Sequence, residues 1–593
     1  MRTKSLSELQ AIADIFPILD TSTLWSETYN DRLFAASIFP SAEQVRPRVY
    51  VARHQNGVTL YDGCMVDSCR RFHPWDAAEL YKHWNEINEH IEGHYVAVNI
   101  DSQVNSLAIQ TDILGIYQVY YVKIGDTWLL SNNIRVLRKT CELEDWDPLG
   151  TSLYVGLGWA SGDRTLVRGI RVLPPGEHWT WKDNMRQPQR IKYFPRTELI
   201  TTHRSKLNKK DVESLAHDLI SLLSSLSENL GPIQCPITAG KDTRTMAALL
   251  DSGNIDASSF TGGDEDWLEV IIGKKVAEKL GMPHELELDR TTAIIEGWDQ
   301  VSRRLVIERD GLVSLLCAVY AIDSTDAKRK WIVHLYGIGG EIGRGPYHQS
   351  NWRYLLKANR PGFVQQRMIQ RLVRSDNLLT EDVRQEATAF VKQFFQAAIE
   401  DGFEHMDIPD LFYAYERVRR WAGTNIGSLW CRQDEFSPFC TRPFVKAAFG
   451  LSVERRVVEH IHYELLNYLA PELRQIPFDV GWSIQQPLLL YVRGILEPLL
   501  RRARKYIEPK GSIGRSIKYF QSDVLRERVR LLEAICPRAR ELCFDQKNSV
   551  LWEYVNKNVL DRLLSSSTDS EERFRRHHII FDVLTLFCYE ATR

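Results

Sequence analysis

Along the first third of the chain, apolar and polar positions form short β-rich runs bounded by turn residues. "HYVAVNID", "SLAIQTD", "QVYYVKIG" and "TWLLSNN" predict strands on that pattern. "VRGIRVLPPGEHWTWKD" continues it, with Pro174, Pro175 and Gly176 as a rigid turn before another strand. Between these runs "DAAELYKHWNEINEHI" has its apolar residues at helical spacing and predicts one amphipathic helix. Residues 1–195 therefore read as an α+β layered domain. Residues 196–210, "RTELITTHRSKLNKK", are polar and basic and read as a linker.

From residue 211 to 593 the pattern changes. "DVESLAHDLISLLSSLSENL", "TRTMAALLDSG" and "WLEVIIGKKVAEKLG" have helical periods, while "IQCPIT", "IDASSFT", "HELELD" and "WIVHLYGIGGE" are short strand-like runs. Strands alternating with helices imply right-handed crossovers and a parallel sheet. Ligands of such sheets bind beyond the carboxyl ends of the strands. Two glycine-containing hinges, 238–243 and 337–345, fall there. From about residue 360 the chain reads as largely helical, with no internal repeat and no long low-complexity tract.

The 593 residues exceed one ordinary core, so two or more domains are expected. A net charge of −2 argues against a general nucleic-acid binder. No apolar run is long enough to span a bilayer, and "MRTKSLSELQAIADIF" has no apolar h-region, so a cytoplasmic location is expected. The ten cysteines are scattered. The closest pair, Cys64 and Cys69, has no matching pair at zinc-site spacing, so the cysteines read as small hydrophobes in a reducing compartment.

The first hinge, "CPITAGKDTRTMAALL", fits neither a Walker loop nor a GxGxxG fingerprint. It still has what a phosphate requires. A strand ends, the backbone turns tightly, and a helix starts at about Thr243 with free amides and the positive end of its dipole. Thr238 and Thr243 add hydroxyls, and Lys241 adds a point charge. An acid beside phosphate repels it unless a cation lies between them, so Asp242 points to magnesium. The rival reading is that Asp242 or Thr243 only caps the helix. The second hinge, "YGIGGEIGRGPY", places Glu341 after a strand, with Gly339 and Gly340 permitting close backbone approach. Glu341 would complete a magnesium site with Asp242, and Arg344 would meet a phosphate or carboxylate. The rival here is a glycine-rich surface turn.

"ITAGKDTR" resembles the SGGxDS pyrophosphate loop of the asparagine-synthetase family, and "YGIGGEIGRG" resembles its GxGGDE segment. "SFTGGDEDWLEVIIGKKVAEKLGMPH" is similar to the intervening strand and helix that hold adenosine. "SPFCTRPFVKAAFGL" and "LAPELRQIPF" resemble later stretches of the family. "GHYVAVNID", "TDILGIYQVYYV", "WLLSNN" and "RTLVRGIRVLPPG" resemble its N-terminal-nucleophile glutaminase domain. The resemblance covers about residues 55–490. It implies an N-terminal-nucleophile-hydrolase-like layered domain followed by an ATP-pyrophosphatase-type synthetase domain with a helical C-terminal part. It further implies that ATP adenylates a carboxylate and an amine then forms an amide. The nucleotide would be held by Ile237, Thr238, Ala239, Gly240, Lys241, Asp242, Thr243, Phe260, Thr261 and Gly337. Magnesium would be held by Asp242 and Glu341, and the catalytic set would be Lys241, Asp242, Glu341 and Arg344.

Position two holds Arg2 where the family's glutaminases have their cysteine, and the first cysteine is Cys64. The N-terminal domain therefore reads as a degenerate glutaminase, and the amine is expected from the substrate. "TAGKDTR" with Arg244, "GGEIGRG" with Arg344, and "YERVRRWAG" with Arg417 and Trp421 resemble the lasso-peptide macrocyclases of the family most. The implied partners are a precursor peptide and a leader-peptide protease or recognition protein. Alternatives are a small carboxylate joined by an amide or lactam synthetase, an asparagine-synthetase-like amidotransferase that does not use glutamine, and a nucleotide-binding scaffold without turnover.

Two positions depart from the family. Ile342 stands where it has a glutamate, and its later lysine has no match in "FDVGWSIQQP", where Lys241, Arg344 or Lys510 would have to substitute. The basic stretch 500–530 reads either as a grip for an acidic peptide or as a solvated helix face. The arginines around Arg417 read either as a solvated or ion-paired helix face or as neighbours of the site. His284 reads as structural, and Trp421 and Trp482 as core or cavity lining.

Overall fold

A computed structural model describes residues 51–182, 185–201, 207–320, 332–348, 357, 360–426, 434–479, 523–565 and 568–593, plus the backbone of strands at 25–29, 33–37 and 49–50. Trp482, Lys510, "VGWSIQQP" and residues 500–522 lie outside the described residues.

The N-terminal part is antiparallel. Strands β1 (Trp25–Tyr29) and β2 (Leu33–Ser37) pair with each other. A six-stranded sheet is built from β3 (Val49–His54), β4 (Gly57–Asp67), β5 (Ile91–Asp101), β6 (Ser106–Thr111), β10 (Glu177–Trp181) and β11 (Gln189–Lys192), in the order β11-β10-β6-β5-β4-β3. A smaller sheet has β7 (Tyr120–Ile124) between β8 (Thr127–Ser131) and β9 (Arg171–Val172). The run after β4 does not form the single helix its periodicity predicts. Helix α1 (Ala77–Lys82) stops at His83, whose ring stacks on Phe72 and pairs with Glu86. A 3-10 turn at Trp84–Glu86 and one helical turn at Ile87–His90 follow.

The C-terminal part is a parallel sheet covered by helices. Its strands β12 (Ile233–Pro236), β13 (Ala257–Gly262), β14 (His284–Glu287), β15 (Val333–Leu335) and β16 (Asp434–Phe436) are ordered β14-β13-β12-β15-β16. Helix α2 (Lys209–Leu230) starts with a capping box between Asn208 and Asp211 and buries Leu215, Leu219, Leu222 and Leu226. It touches both β4 and β15. Helices α3 (Lys241–Ser252) and α4 (Leu268–Leu280) follow β12 and β13. Further helices include α5 (Arg442–Phe449), α6 (His460–Leu469), α7 (Asp523–Asp545) and α8 (Ser570–Glu590).

One apolar cluster runs through both parts: Cys64, Val66, Ile113 and Leu114 pack with Leu219, Leu222, Ile233, Leu335, Phe436 and Phe444. Arg442 reinforces the junction by donating to the carbonyls of Ile91 (2.7 Å) and Asn88 (3.0 Å) and pairing with buried Glu92 (2.9 Å). No helix among the described residues is long and apolar enough to cross a membrane.

Candidate functional site

Strand β12 is the topological switch of the parallel sheet. The strands β13 and β14 extend to one side of it and β15 and β16 to the other. The register Ile233↔Val333 and Gln234↔His334 brings the carboxyl ends of β12 and β15 side by side. Both glycine hinges therefore leave one sheet edge at the crevice where ligands of such sheets bind.

In the first hinge Gly240 caps α3 in an extended conformation with no side-chain hydrogen bond, and the helix starts at Lys241 rather than Thr243. Thr238 Oγ1 accepts from Gly240 N (3.0 Å), and Thr243 Oγ1 accepts from Thr238 N (3.2 Å). Neither Asp242 nor Thr243 is the cap, so the capping reading fails. Asp242 instead points across the crevice. Its Oδ2 accepts from Arg344 NH2 at 2.7 Å, and its Oδ1 lies 2.8 Å from His462 Nε2. The same Arg344 nitrogen is 3.2 Å from Glu341 Oε1. The two acids thus converge on one guanidinium, so Arg344 is engaged by the chain's own carboxylates.

The second hinge is a 3-10 turn, Gly340–Arg344, entered through Gly339 at φ +90°. A Cβ on Gly340 would stand 2.3 Å from Asp242 Oδ1, and one on Gly337 would stand 3.2 Å from the Asp242 Cβ. Glycine is what lets the two loops approach. The reading as a mere surface turn fails with this contact.

The environments of the two acids differ. Burial alone would raise the Asp242 pKa, but Arg344, His462 and Lys241 outweigh it and hold the carboxyl below its ordinary value. Burial, then the charge of Asp242, pushes Glu341 up, partly opposed by Arg344 and a hydrogen bond with Tyr413. Burial works against the Arg344 charge, yet Asp242 and Glu341 together raise its pKa above the ordinary arginine value.

Lys241 is 3% exposed and pairs with Glu459 Oε2 at 3.0 Å. The side chains of Ile237 and Ala239 lie in an apolar cluster with Ala247, Ile272 and Leu466, while the Ile237 amide donates to Phe260 O (2.8 Å) and the Ala239 carbonyl accepts from Asp479 N (3.1 Å). Thr261 is buried and its hydroxyl donates to the Ile237 carbonyl, while Phe260 packs against the His334 ring at 5.1 Å. His284 is hydrogen-bonded with Ser259 at 2.9 Å, a structural place. Ile342 is fully buried in the main core.

Arg244 is not a site residue. It is fully buried, donates to the carbonyls of Leu473 (3.0 Å), Ile476 (2.8 Å) and Pro477 (2.8 Å), and stacks on Phe478 at 3.7 Å. The arginines of "YERVRRWAG" lie on a π-helical segment, Tyr413–Ala422. Arg419 and Arg420 are buried and donate to Leu173 O and to Gln118, tying this segment to the N-terminal part. Arg417 stacks on Trp421 at 3.7 Å. Arg419 and Arg420 therefore form no solvated face, while the charge of Arg417 acts on Tyr413, which hydrogen-bonds with Glu341. Residues 523–530 begin α7, where Arg526 and Arg530 pair with Asp523 and Glu527.

His462, Glu459 and Tyr413 were not among the predicted residues. The signal for the first two is "EHIHYELL", polar residues at the head of an otherwise apolar helix, with His462 fully buried in the fold. Tyr413 sits in the first turn of the π-helical segment, a geometry that often marks functional places.

No group of three or more His, Cys, Asp or Glu side chains able to hold a metal occurs among the described residues. Magnesium does not need one, because it commonly takes one or two carboxylates and completes its shell with phosphates and water. Glu341 Oε2 is buried beside Tyr413, and Asp242 Oδ1 is buried with the His462 ring 2.8 Å away, so both oxygens face the crevice interior rather than bulk water. The chain matches no protein-family model and no curated protein sequence.

Proposed function

We propose that this chain is an ATP- and magnesium-dependent ligase that forms an amide through an acyl-adenylate. Its two parts are read as an N-terminal-nucleophile-hydrolase-like layer and an ATP-pyrophosphatase-type synthetase layer. The observation that carries the reading is the convergence of Asp242, Glu341 and Arg344 at the switch point of the parallel sheet.

In this reading the substrate carboxylate attacks the α-phosphorus, and the bond to pyrophosphate breaks. The amide end of α3, with its dipole and the Thr238 and Thr243 hydroxyls, receives the leaving pyrophosphate. Asp242 and Glu341 would hold magnesium, whose charge lowers the cost of anionic charge on that leaving group. The amine then displaces AMP at the acyl carbon and loses a proton. The proposed substrate is a lasso-peptide precursor whose N-terminal amine closes on an Asp or Glu side chain, with a leader-peptide protease as partner. The same chemistry on a small carboxylate is the nearest variant.

A second reading, nucleotide binding without turnover, is favoured by the ion pairs that already engage Arg344 and Lys241. Pyrophosphate release from ATP separates the two. A ligase releases it only when a peptide or small carboxylate acceptor is present, and Asp242→Asn cuts the rate at least about 100-fold, the scale of one lost transition-state contact. ATP binding with no release for any acceptor overturns the ligase. Absence of ATP binding overturns both readings.

A further inference from the structure

Arg344 occupies the position that a cation shared by the two acids would need. One of its nitrogens lies 2.7 Å from Asp242 Oδ2 and 3.2 Å from Glu341 Oε1. Magnesium ligated by those oxygens would sit about 2.1 Å from each. The ion and the guanidinium cannot share that space, and their charges repel. A divalent ion entering alone at those two oxygens must therefore break both pairs and leave Arg344 positive and without them in a half-buried setting.

A polyphosphate changes that balance. Guanidinium forks match phosphate oxygens as well as carboxylates. Arg344 has spare capacity, since its Nε is buried with no hydrogen-bond partner. The hinge carrying Arg344 lies against Asp242 in the first turn of α3, at whose amide end phosphate would settle. A phosphate there gives the guanidinium a new partner as it leaves the acids.

We infer that Arg344 is a resident counter-ion that makes divalent-cation binding conditional on a polyphosphate. It is a positioning residue, and this inference rests on the reading of the crevice as a nucleotide–metal site. Without polyphosphate, Arg344 neutralises the acid pair and keeps the cation out. With it, Arg344 moves to the phosphate and the acids take the cation. By linkage the cation strengthens polyphosphate binding by the same factor.

Protein-bound Mn2+ is measured by equilibrium dialysis of the full chain, native and with Arg344→Gln or Arg344→Met. Each variant is first checked for native-like cooperative melting. Both variants are expected to bind Mn2+ alone at least about tenfold more tightly than the native chain, within the usual range of coupling between sites. Adding Asp242→Asn to Arg344→Gln should remove that gain. Inorganic pyrophosphate should raise the Mn2+ affinity of the native chain far more than that of the variants. Equal affinity of native and variant chains for Mn2+ alone overturns the counter-ion role. If the native chain still takes up Mn2+ with ATP, only that role falls. If no chain takes up Mn2+ with ATP or pyrophosphate, the nucleotide–metal reading falls with it.

Discussion

Gly340 is where the two hinges come closest, and a single methyl tests whether that approach matters. The added Cβ would stand 2.3 Å from Asp242 Oδ1, so Gly340→Ala must push the carboxylate off its present place. We expect ATP affinity, read by calorimetry, to fall at least about tenfold with little change in melting temperature, because the strain falls on the hinge rather than the core. The residues of both hinges were legible in the sequence because glycine, acid and hydroxyl types cluster there against an apolar background. The direction of each side chain was not. Nothing in "TAGKDTR" tells that Lys241 turns to Glu459 while Asp242 turns to Arg344, since both partners lie far along the chain. Buried acids away from the site carry a separate consequence. Asp310 is raised by burial from 3.8 to about 7, against the pull of Arg135. The folded chain therefore holds a proton that the unfolded chain has released between those values. Stability from this group falls as pH rises through that window and is level above it. Asp310→Asn should flatten the decline in unfolding midpoint between about pH 4 and pH 7.

At the scale of elements, most of the parallel sheet was legible, because each buried strand is a short apolar run followed by a helix of clear period. The exceptions have physical causes. β16 has three residues, "DEF", too few to show a period, and it is a strand only because β15 offers it an edge. Helix α1 stops early because ring packing at His83 overrides its amphipathic pattern. Arg244 illustrates how motif and role part company. It stands in the stretch that resembles the macrocyclases, yet it braces the segment after α6 through three carbonyls. Burial lowers its pKa to about 10, which leaves it cationic near neutrality. Arg244→Ala strands the Leu473 carbonyl in the interior, at about 1–3 kcal/mol, and leaves the part-buried Ile476 and Pro477 carbonyls to water. The urea midpoint should drop by the equivalent of about 1–3 kcal/mol, the cost of the one buried carbonyl. Unchanged stability would show that water replaces the guanidinium without loss.

At the scale of the whole molecule, the two sheets act on one crevice. His94 of β5 accepts a hydrogen bond from Ser437 N at 3.0 Å, just past the end of β16. The Ser437 hydroxyl donates to the carbonyl of Ile338, and Cys440 Sγ approaches the same carbonyl at 3.4 Å. Ile338 belongs to the hinge that carries Glu341 and Arg344. Hydrogen bonds thus run from the antiparallel sheet to Ile338, three residues before Glu341, although His94 belongs to neither hinge. Sequence alone hinted at two layers and at a functional edge on the second. It gave no sign that the first layer supports that edge, because the link depends on which loops the folded sheets bring together. Replacing His94 by Ala leaves a buried amide without its acceptor, at about 1–3 kcal/mol. If the link positions the hinge, His94→Ala weakens ATP affinity several-fold beyond what lowered stability explains at a temperature where the chain is fully folded. His94→Gln, which restores an acceptor, should recover most of the loss. A variant that melts earlier but binds ATP as the native chain does would show that the antiparallel sheet serves stability only.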